Sequence, residues 1–351
     1  MESINTRTQH REQVERRVNQ GLLARWYPVC KTVEVSAEQP YAAMVVGKKL
    51  VLWRDQDNNI QCINDHCPHR GAPLSLGEVH EGKIACRYHG IVMTGEGVIE
   101  RVPAMPECAY EGRKTNNSFE TKEVNGAVFV YIPSPVQKQA PEFIMPEEFL
   151  DPDWTGFLCS AHWKTNYRLA LDNLADPMHG CYLHAQSFTL AYGAKQDLVK
   201  LSEHNKGFRV SRVAQSGDNF DWVEMLISSG SISCQLDIPY PPAAGPGGNM
   251  RIVGFVCPMD ENNCKVFFWR MRKVQGLERD AWRFMYRAKL EPRHWHVLEQ
   301  DRVMLEHMTP DAGKRDMLYQ HDLGVSKIRQ VLNKAASEQL KAEAVEMSAE
   351  T

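Results

Sequence analysis

Apolar residues along this chain follow two rhythms. From about Trp26 to Tyr131 they come in short runs, such as Met44–Val46, Leu50–Trp53, Ile60–Ile63 and Val128–Ile132. Gly, Pro, Asn and Asp break these runs. Asp57-Asn58-Asn59 and Asn125-Gly126 are turn signals between strands, so this stretch predicts a small all-β domain. Pro133, Pro135 and Pro141 then mark a linker. Beyond it lie a helical stretch near Lys164–His184 and β-type runs at Phe208–Val213, Trp222–Ile227, Ser231–Ile238, Met250–Val256 and Val266–Met271. A long helical region from Glu278 to His307 follows, interrupted at Pro292. Strands in a meander with helices around them predict an α+β domain with an antiparallel sheet. Val14 and Val18 stand at i, i+4 and predict a surface helix in the first 20 residues, and Leu323 to Met347 reads as one more amphipathic helix. The expected divisions are a helical extension over 1–24, a β domain over 25–135, an α+β domain over 136–310 and a helical tail over 311–351.

Composition narrows this picture without changing it. A chain of 351 residues suits two domains plus extensions. With 43% hydrophobic and 24% charged residues it reads as globular, and a net charge of −3 gives no broad attraction for nucleic acid. No apolar run approaches the length of a membrane span, and the polar start, Met1 to Gln20, does not look like a secretory signal. The 10 cysteines are scattered, with no Cys-x-x-Cys pair. A reducing, cytoplasmic setting is therefore expected, with eight of them (30, 62, 108, 159, 181, 234, 257, 264) acting as small hydrophobes.

The other two cysteines carry chemistry. Cys67-Pro68-His69-Arg70-Gly71 is followed, after 16 intervening residues from His69, by Cys86-Arg87-Tyr88-His89-Gly90. Each loop offers one thiolate and one imidazole, and Pro68, Gly71, Pro73 and Gly90 supply tight turns. Chance pairing among 13 histidines is the plain alternative, disfavoured because both pairs sit in turn-rich loops of one β domain. A single zinc ion is another candidate, but zinc fingers group a Cys pair and then a His pair. One of each per loop suits a 2Fe–2S cluster with both Cys on one iron and both His on the other. This is where the chain resembles the Rieske family, whose pattern is Cys-x-His, a gap of similar length, then Cys-x-x-His. The resemblance implies cluster ligands Cys67, His69, Cys86 and His89 and leaves His66 as a loop residue. Arg87 and Ile91 depart from the family's usual Pro and Trp, in positions that do not ligate.

A second constellation lies in Leu171-Asp172-Asn173-Leu174-Ala175-Asp176-Pro177-Met178-His179-Gly180-Cys181-Tyr182-Leu183-His184. On a helix Asn173, Asp176 and His179 share a face by i, i+3 spacing. His184 would be swung away by about 140° on a regular helix, so Gly180 is expected to let the chain bend. Two His and one carboxylate form the facial set that holds ferrous iron with open positions. Two histidines five apart are ordinarily core or surface residues. Four polar groups on one short segment, in a chain already offering a redox cluster, favour the metal reading.

For the carboxylate, Asp301 has Val297, Leu298, Met304 and Leu305 as its helical neighbours. A carboxylate in an apolar stripe is costly unless paired or metal-bound. Glu299 and Glu306 have more polar neighbours and read as solvated. The alternative for Asp301 is a buried ion pair with Arg or Lys.

The same segment resembles the Asp-Asn-Leu-x-Asp-x-x-His-x-x-Tyr-x-His stretch of the vanillate and dicamba demethylase branch. Arg25-Trp26-Tyr27-Pro28-Val29 and His321-Asp322-Leu323-Gly324-Val325 are similar to the pheophorbide, chlorophyllide and saxitoxin-pathway oxygenase branch. The resemblance implies a Rieske domain followed by a helix-grip catalytic domain, with mononuclear iron on His179, His184 and Asp301. It implies that Asp176 bridges the iron site and a cluster, touching His179 and His89 of the partner subunit in a ring-shaped homotrimer. Asn173 is then a residue beside the iron.

No Gly-x-Gly-x-x-Gly follows a strand, so electrons must come from a separate NAD(P)H-dependent reductase, directly or through a ferredoxin. The expected reaction is monooxygenation of a small aromatic or polycyclic substrate, by hydroxylation or oxidative demethylation. Ring cis-dihydroxylation is the alternative. Trp222, Met225, Leu236, Ile252 and Phe255 are candidate pocket residues. An electron carrier would need only the β domain, and a zinc protein would need neither iron nor sulfide.

Overall fold

The computed structural model describes residues 2–187, 190, 195–214, 217, 219–228, 230–240, 246, 248–309 and 312–350. The chain divides into two compact units. One comprises Leu23–Pro141 with Cys257–Asp260, and the other Met1–Leu22, Glu142–Val256 and Glu261–Thr351.

The first unit is all β, as its apolar rhythm predicts. Strands β1 (Arg25–Lys31), β2 (Tyr41–Val45), β3 (Lys48–Arg54), β4 (Ile60–Asn64), β5 (Glu78–His80), β6 (Lys83–Ala85), β7 (Val92–Met93), β8 (Ile99–Arg101), β9 (Thr121–Val124) and β10 (Ala127–Ile132) form three sheets. Their orders are β1-β10-β9, β2-β3-β4 and β5-β6-β7-β8. Asn125 and Gly126 both have positive φ, at 47° and 84°, which makes the two-residue turn that their sequence signals between β9 and β10. Val51, Trp53, Ile63, Leu74, Ile84 and Met93 form a core that also takes in Cys67 and Cys86. The two loops are thus anchored by their sulfurs.

The second unit is a seven-stranded antiparallel sheet with helices. Strands β11 (Trp154–Trp163), β12 (Val199–His204), β13 (Gly207–Arg212), β14 (Trp222–Ile227), β15 (Ile232–Ile238), β16 (Met250–Asp260) and β17 (Asn263–Lys273) run in the order β11-β17-β16-β15-β14-β13-β12. Alternate residues such as Val223 and Met225, Met250 and Ile252, and Val266 and Phe268 enter one core with Leu171, Leu174, Leu298 and Leu305 of the helices. Those helices are α1 (Glu2–Gln20), α2 (Glu147–Leu150), α3 (Tyr167–Leu174), α4 (Gly180–Leu183), α5 (Gly276–Met285), α6 (Glu291–Glu306), α7 (Ala312–Arg315) and α8 (Leu323–Glu350). Helix α1 is not a free surface helix. Val18 is fully buried, and Arg17 pairs with Glu343 of α8 at 2.9 Å.

Two helical expectations change in detail. The stretch expected as one helix over Lys164–His184 breaks after Leu174, because Pro177 disfavours helical geometry at the residue before it. The expected interruption at Pro292 is instead a π-helical turn over Tyr286–Leu290, with Pro292 in the first turn of α6. Proline cannot donate to the carbonyl four residues back, and its ring crowds that group; the wider turn just before it relieves both. All ten cysteines are buried and none is in a disulfide. No described helix is long and apolar enough to cross a membrane.

Candidate metal centres

The two Cys-His loops of the β unit share one backbone pattern. Cys67 N–H donates to Ala72 O and Gly71 N–H to Cys67 O, at 2.7 and 2.8 Å. Cys86 N–H donates to Ile91 O and Gly90 N–H to Cys86 O, both at 2.8 Å. Gly71 and Gly90 hold φ of 74° and 73°, a left-handed conformation that glycine adopts without strain. The loops therefore present their side chains alike. Cys67 and Cys86 are buried while His69 and His89 are exposed, with their Nδ1 atoms 3.1 Å apart. Buried Asn116 donates to Asn64 O and His66 O at 3.0 and 2.8 Å and holds the approach to the first loop. Burial, and then the neighbouring Cys86, push the Cys67 thiol up to about 11, so this sulfur ionises only against a cation.

The second site gathers residues from α3, α4 and α6. Among the described residues, His179, His184 and Asp301 are the one set whose three ligand atoms all lie within 4.8 Å of one another. Two buried thiols and two exposed imidazoles, one of each from either loop, fit a binuclear cluster. His184 Nε2 and His179 Nε2 lie 3.3 and 3.7 Å from Asp301 Oδ1. Both Nδ1 atoms are taken from behind. His179 Nδ1 meets the Asp176 carbonyl at 2.7 Å, and His184 Nδ1 meets Gln300 Oε1 at 2.9 Å. Such partners fix the tautomer and leave Nε2 for a metal. Asn173 Nδ2 donates to Asp301 Oδ1 at 3.2 Å.

The field at this site asks for positive charge. Burial alone would lower the His179 pKa, but the carboxylates of Asp176 and Asp301 outweigh it and raise it to about 9. The same pairing overcomes burial at Asp176 and holds its carboxyl below the usual range. Two imidazoles and a buried carboxylate in such a field fit one hard divalent ion with open positions.

Several expectations need correction. The hydrogen-bond partner of His179 is the Asp176 carbonyl, while its carboxylate lies 3.6 Å away and instead accepts from Met178 N–H at 2.7 Å. The convergence of the two imidazoles owes nothing to a bend at Gly180, which sits in ordinary helix. A Cβ there would come within 2.5 Å of the Phe220 ring, so glycine is required by packing. Glu306 is not solvated, since it caps Lys164 N–H at 2.8 Å and pairs with Arg302. Gln300 escaped notice in the sequence. Its signal was position alone, next to Asp301 on a helix.

A cavity of about 90 Å³ adjoins the triad. Leu236 and Ile252 line it as expected, with Phe220, Phe268, Val297 and Leu298. Three candidates do not. Met225 is buried in the core, Trp222 lies under the guanidinium groups of Arg209 and Arg251, and Phe255 packs on Phe143 and Trp269. Residues one apart on a strand face opposite ways, which explains Trp222 and Phe255; Met225 shares the face of Val223, and only the fold shows how far along that face the cavity runs.

A β unit with paired Cys-His loops and a helix-clad antiparallel sheet with a two-His, one-carboxylate site form the arrangement that the resemblance to Rieske oxygenases implies. The Rieske [2Fe-2S] domain family matches residues 25–123, and the vanillate O-demethylase oxygenase C-terminal domain family matches residues 163–338. The second match covers half the chain, and the chain belongs to this family of Rieske oxygenase α subunits. It is 36% identical over 163 residues to the vanillate O-demethylase oxygenase subunit of Pseudomonas sp. strain HR199, covering 46% of this chain and 45% of that one. The chain spans less than half the length of the curated relatives it matches. Dicamba monooxygenase bound to dicamba shares the fold with a TM-score of 0.69 and 21% identity, over 92% of this chain and 100% of that one. So does the oxygenase of the reduced oxygenase–ferredoxin complex of carbazole 1,9a-dioxygenase, with a TM-score of 0.71 and 21% identity over 94% and 91%. A Rieske domain carries a 2Fe–2S cluster, and oxygenases of this family also use a mononuclear non-haem iron.

Proposed function

We propose that this chain is the oxygenase component of a multi-protein system that monooxygenates a small aromatic substrate, by hydroxylation or oxidative demethylation. Electrons reach it from a separate NAD(P)H-dependent reductase, directly or through a ferredoxin. Cys67, His69, Cys86 and His89 hold the cluster; His179, His184 and Asp301 hold the iron. When bound, these groups supply one-electron transfer and dioxygen activation. The observation that carries the reading is the convergence of two Nε2 atoms and Asp301 Oδ1 on the wall of an apolar cavity. Leu236, Ile252 and Phe268 keep water from the substrate there. Gln300 and the Asp176 carbonyl hold the imidazoles in one tautomer, and Asn173 fixes the Asp301 carboxylate.

Asp176 works between the two centres. Its carboxylate stands 3.6 Å from the His179 ring, and its other contact is a cluster histidine of a neighbouring subunit in a ring-shaped homotrimer. The protein acts in the cytoplasm. Its working divisions are the extension over 1–24, the cluster domain over 25–135, the catalytic domain over 136–310 and the tail over 311–351.

Metal and sulfide analysis with an EPR spectrum of the reduced protein tests this reading. It expects about three irons and two acid-labile sulfides per chain. Two irons with two sulfides would leave only an electron carrier, and zinc alone would exclude both. Asp176→Ala should keep all three irons while steady turnover with a surrogate reductase falls by about 100-fold. Unchanged turnover would remove the bridging role.

A further inference from the structure

The segment His321-Asp322-Leu323-Gly324-Val325 supplies no ligand to either metal centre, yet it docks beside one of them. His321 Nε2 meets the Asp197 carbonyl at 2.5 Å, just ahead of β12. The Asp322 carbonyl accepts from Ser326 N–H at 2.9 Å where α8 begins. Gly324 then lies on the Ala175 carbonyl, so closely that a Cβ would stand 2.0 Å from its oxygen. Ala175 is the cap of α3 and the residue before Asp176.

Further along the same helix, Arg329 grips α3 itself. Its Nε and Nη2 donate to Asp172 Oδ2 at 3.0 and 2.6 Å, and its Nη1 pairs with Asp316 at 2.6 Å. The Arg329 and Asp172 side chains are 19% and 12% exposed. Such a pair is a poor source of stability. Burial lifts the Asp172 carboxyl to about 6 against the pull of Arg329 and Arg168. Apolar residues of similar volume commonly serve a fold as well as a buried ion pair, or better.

What the pair fixes is position. Asn173 follows Asp172 and donates to Asp301, and the carbonyl of Asp176, after Ala175, takes His179 Nδ1. Two of the three triad residues are thus oriented from the stretch 172–176. Helix α8 touches that stretch at Asp172 and again at Ala175.

We propose that Arg329 is a positioning residue for the iron site. With Gly324 seated on the Ala175 carbonyl, it clamps the stretch 172–176 and so aims Asn173 at Asp301 and the Asp176 carbonyl at His179. The proposal rests on reading His179, His184 and Asp301 as the iron ligands.

The test measures iron affinity of the full chain by competition with a chromogenic chelator, well below every melting temperature. Arg329→Met should weaken iron binding about tenfold and leave the cluster's absorbance intact. With nitric oxide as probe, the EPR lines of its ferrous site should broaden. Arg329→Lys, which keeps the charge but not the two-donor grip, should recover part of the affinity. Asp172→Leu joined to Arg329→Met leaves no stranded carboxylate, so it should melt above Arg329→Met and still bind iron about tenfold more weakly than the parent. Arg17→Met is the control for a loosened α8, because Arg17 holds Glu343 at the other end of that helix. It should lower the melting temperature and leave iron affinity unchanged.

The proposal is overturned if Arg329→Met binds iron like the parent, if the double variant regains iron affinity together with its melting temperature, or if Arg17→Met weakens iron to the same degree. Iron in the parent separates the two readings. A parent that takes up no mononuclear iron would remove the oxygenase site, whereas a parent that takes it up and variants that match it would remove only the clamp.

Discussion

In the β unit, Cys67, His69, Cys86 and His89 sit on two loops that repeat the same hydrogen bonds, with sulfurs in the core and imidazoles in solvent. In the sheet-and-helix unit, His179 follows the break after α3, His184 ends α4, and Asp301 arrives from α6 far along the chain. The first site is fixed by turn chemistry that each loop carries within itself. The second exists only when three helical segments have packed, because its imidazoles are aimed by a carbonyl and an amide from different elements. A loop site is thus specified by spacing, and a packed site by what surrounds each ligand.

The largest effects should come from breaking one site and reading the other. Cys86→Ser should remove the cluster's visible absorbance and acid-labile sulfide while iron still binds the triad, and it should lower the melting temperature because Cys86 is part of its unit's core. Asp301→Asn should do the reverse, losing the mononuclear iron with the cluster spectrum unchanged. Both should reduce turnover to background. If either substitution emptied both sites, the view of two independently built centres would have to go.

The next effect is smaller and lies behind the ligands. Gln300→Leu removes the acceptor for His184 Nδ1 and should weaken iron binding by about 10- to 100-fold, measured by competition with a chromogenic chelator. Asn173→Ala should act in the same sense through Asp301. Asn116→Ala is the counterpart in the β unit, where the same kind of amide holds two backbone carbonyls. It should cost about 1–3 kcal/mol of stability in a denaturation curve, with the cluster's ligands still in place. A matching loss of cluster in Asn116→Ala would blur the contrast.

That contrast also explains what could be read from the sequence. The β strands near the cluster, the Asn125-Gly126 turn and the meander from β13 to β17 follow from alternation and turn residues. Edge strand β12 did not declare itself, because Lys200, Ser202, Glu203 and His204 leave a charged, mostly exposed strand with little apolar rhythm. Strand β11 carries Gly156, Ser160 and His162 among its apolar residues, and its signal is diluted in the same way. At the triad, Asp301 was legible because a carboxylate among Val297, Leu298, Met304 and Leu305 has no cheap explanation. Gln300 was not, since an amide beside it on a helix has many. Arg270 was hidden more deeply. Only the fold shows that Phe268 and Arg270 line the cavity beside the triad.

The smallest effects concern glycine, and they separate the two kinds of construction most cleanly. Gly71 has φ of 74° and nothing within 4 Å of where a Cβ would stand, so Gly71→Ala pays only for the left-handed backbone, about 1–2 kcal/mol. Asn tolerates that conformation, so Gly71→Asn should regain much of the loss. Gly180 has no such backbone demand, but its Cβ would meet the Phe220 ring at 2.5 Å. Gly180→Ala should cost about 1–3 kcal/mol through overpacking. Asn at this position should be worse than Ala, and the loss should be relieved by the second change Phe220→Leu. Because the Phe220 ring is 5.6 Å from the His179 ring, the single variant should also loosen iron binding, and the double variant should restore it in part. A Gly180→Ala chain rescued by nothing at position 220 would mean that backbone freedom, and not space, governs the approach to His179.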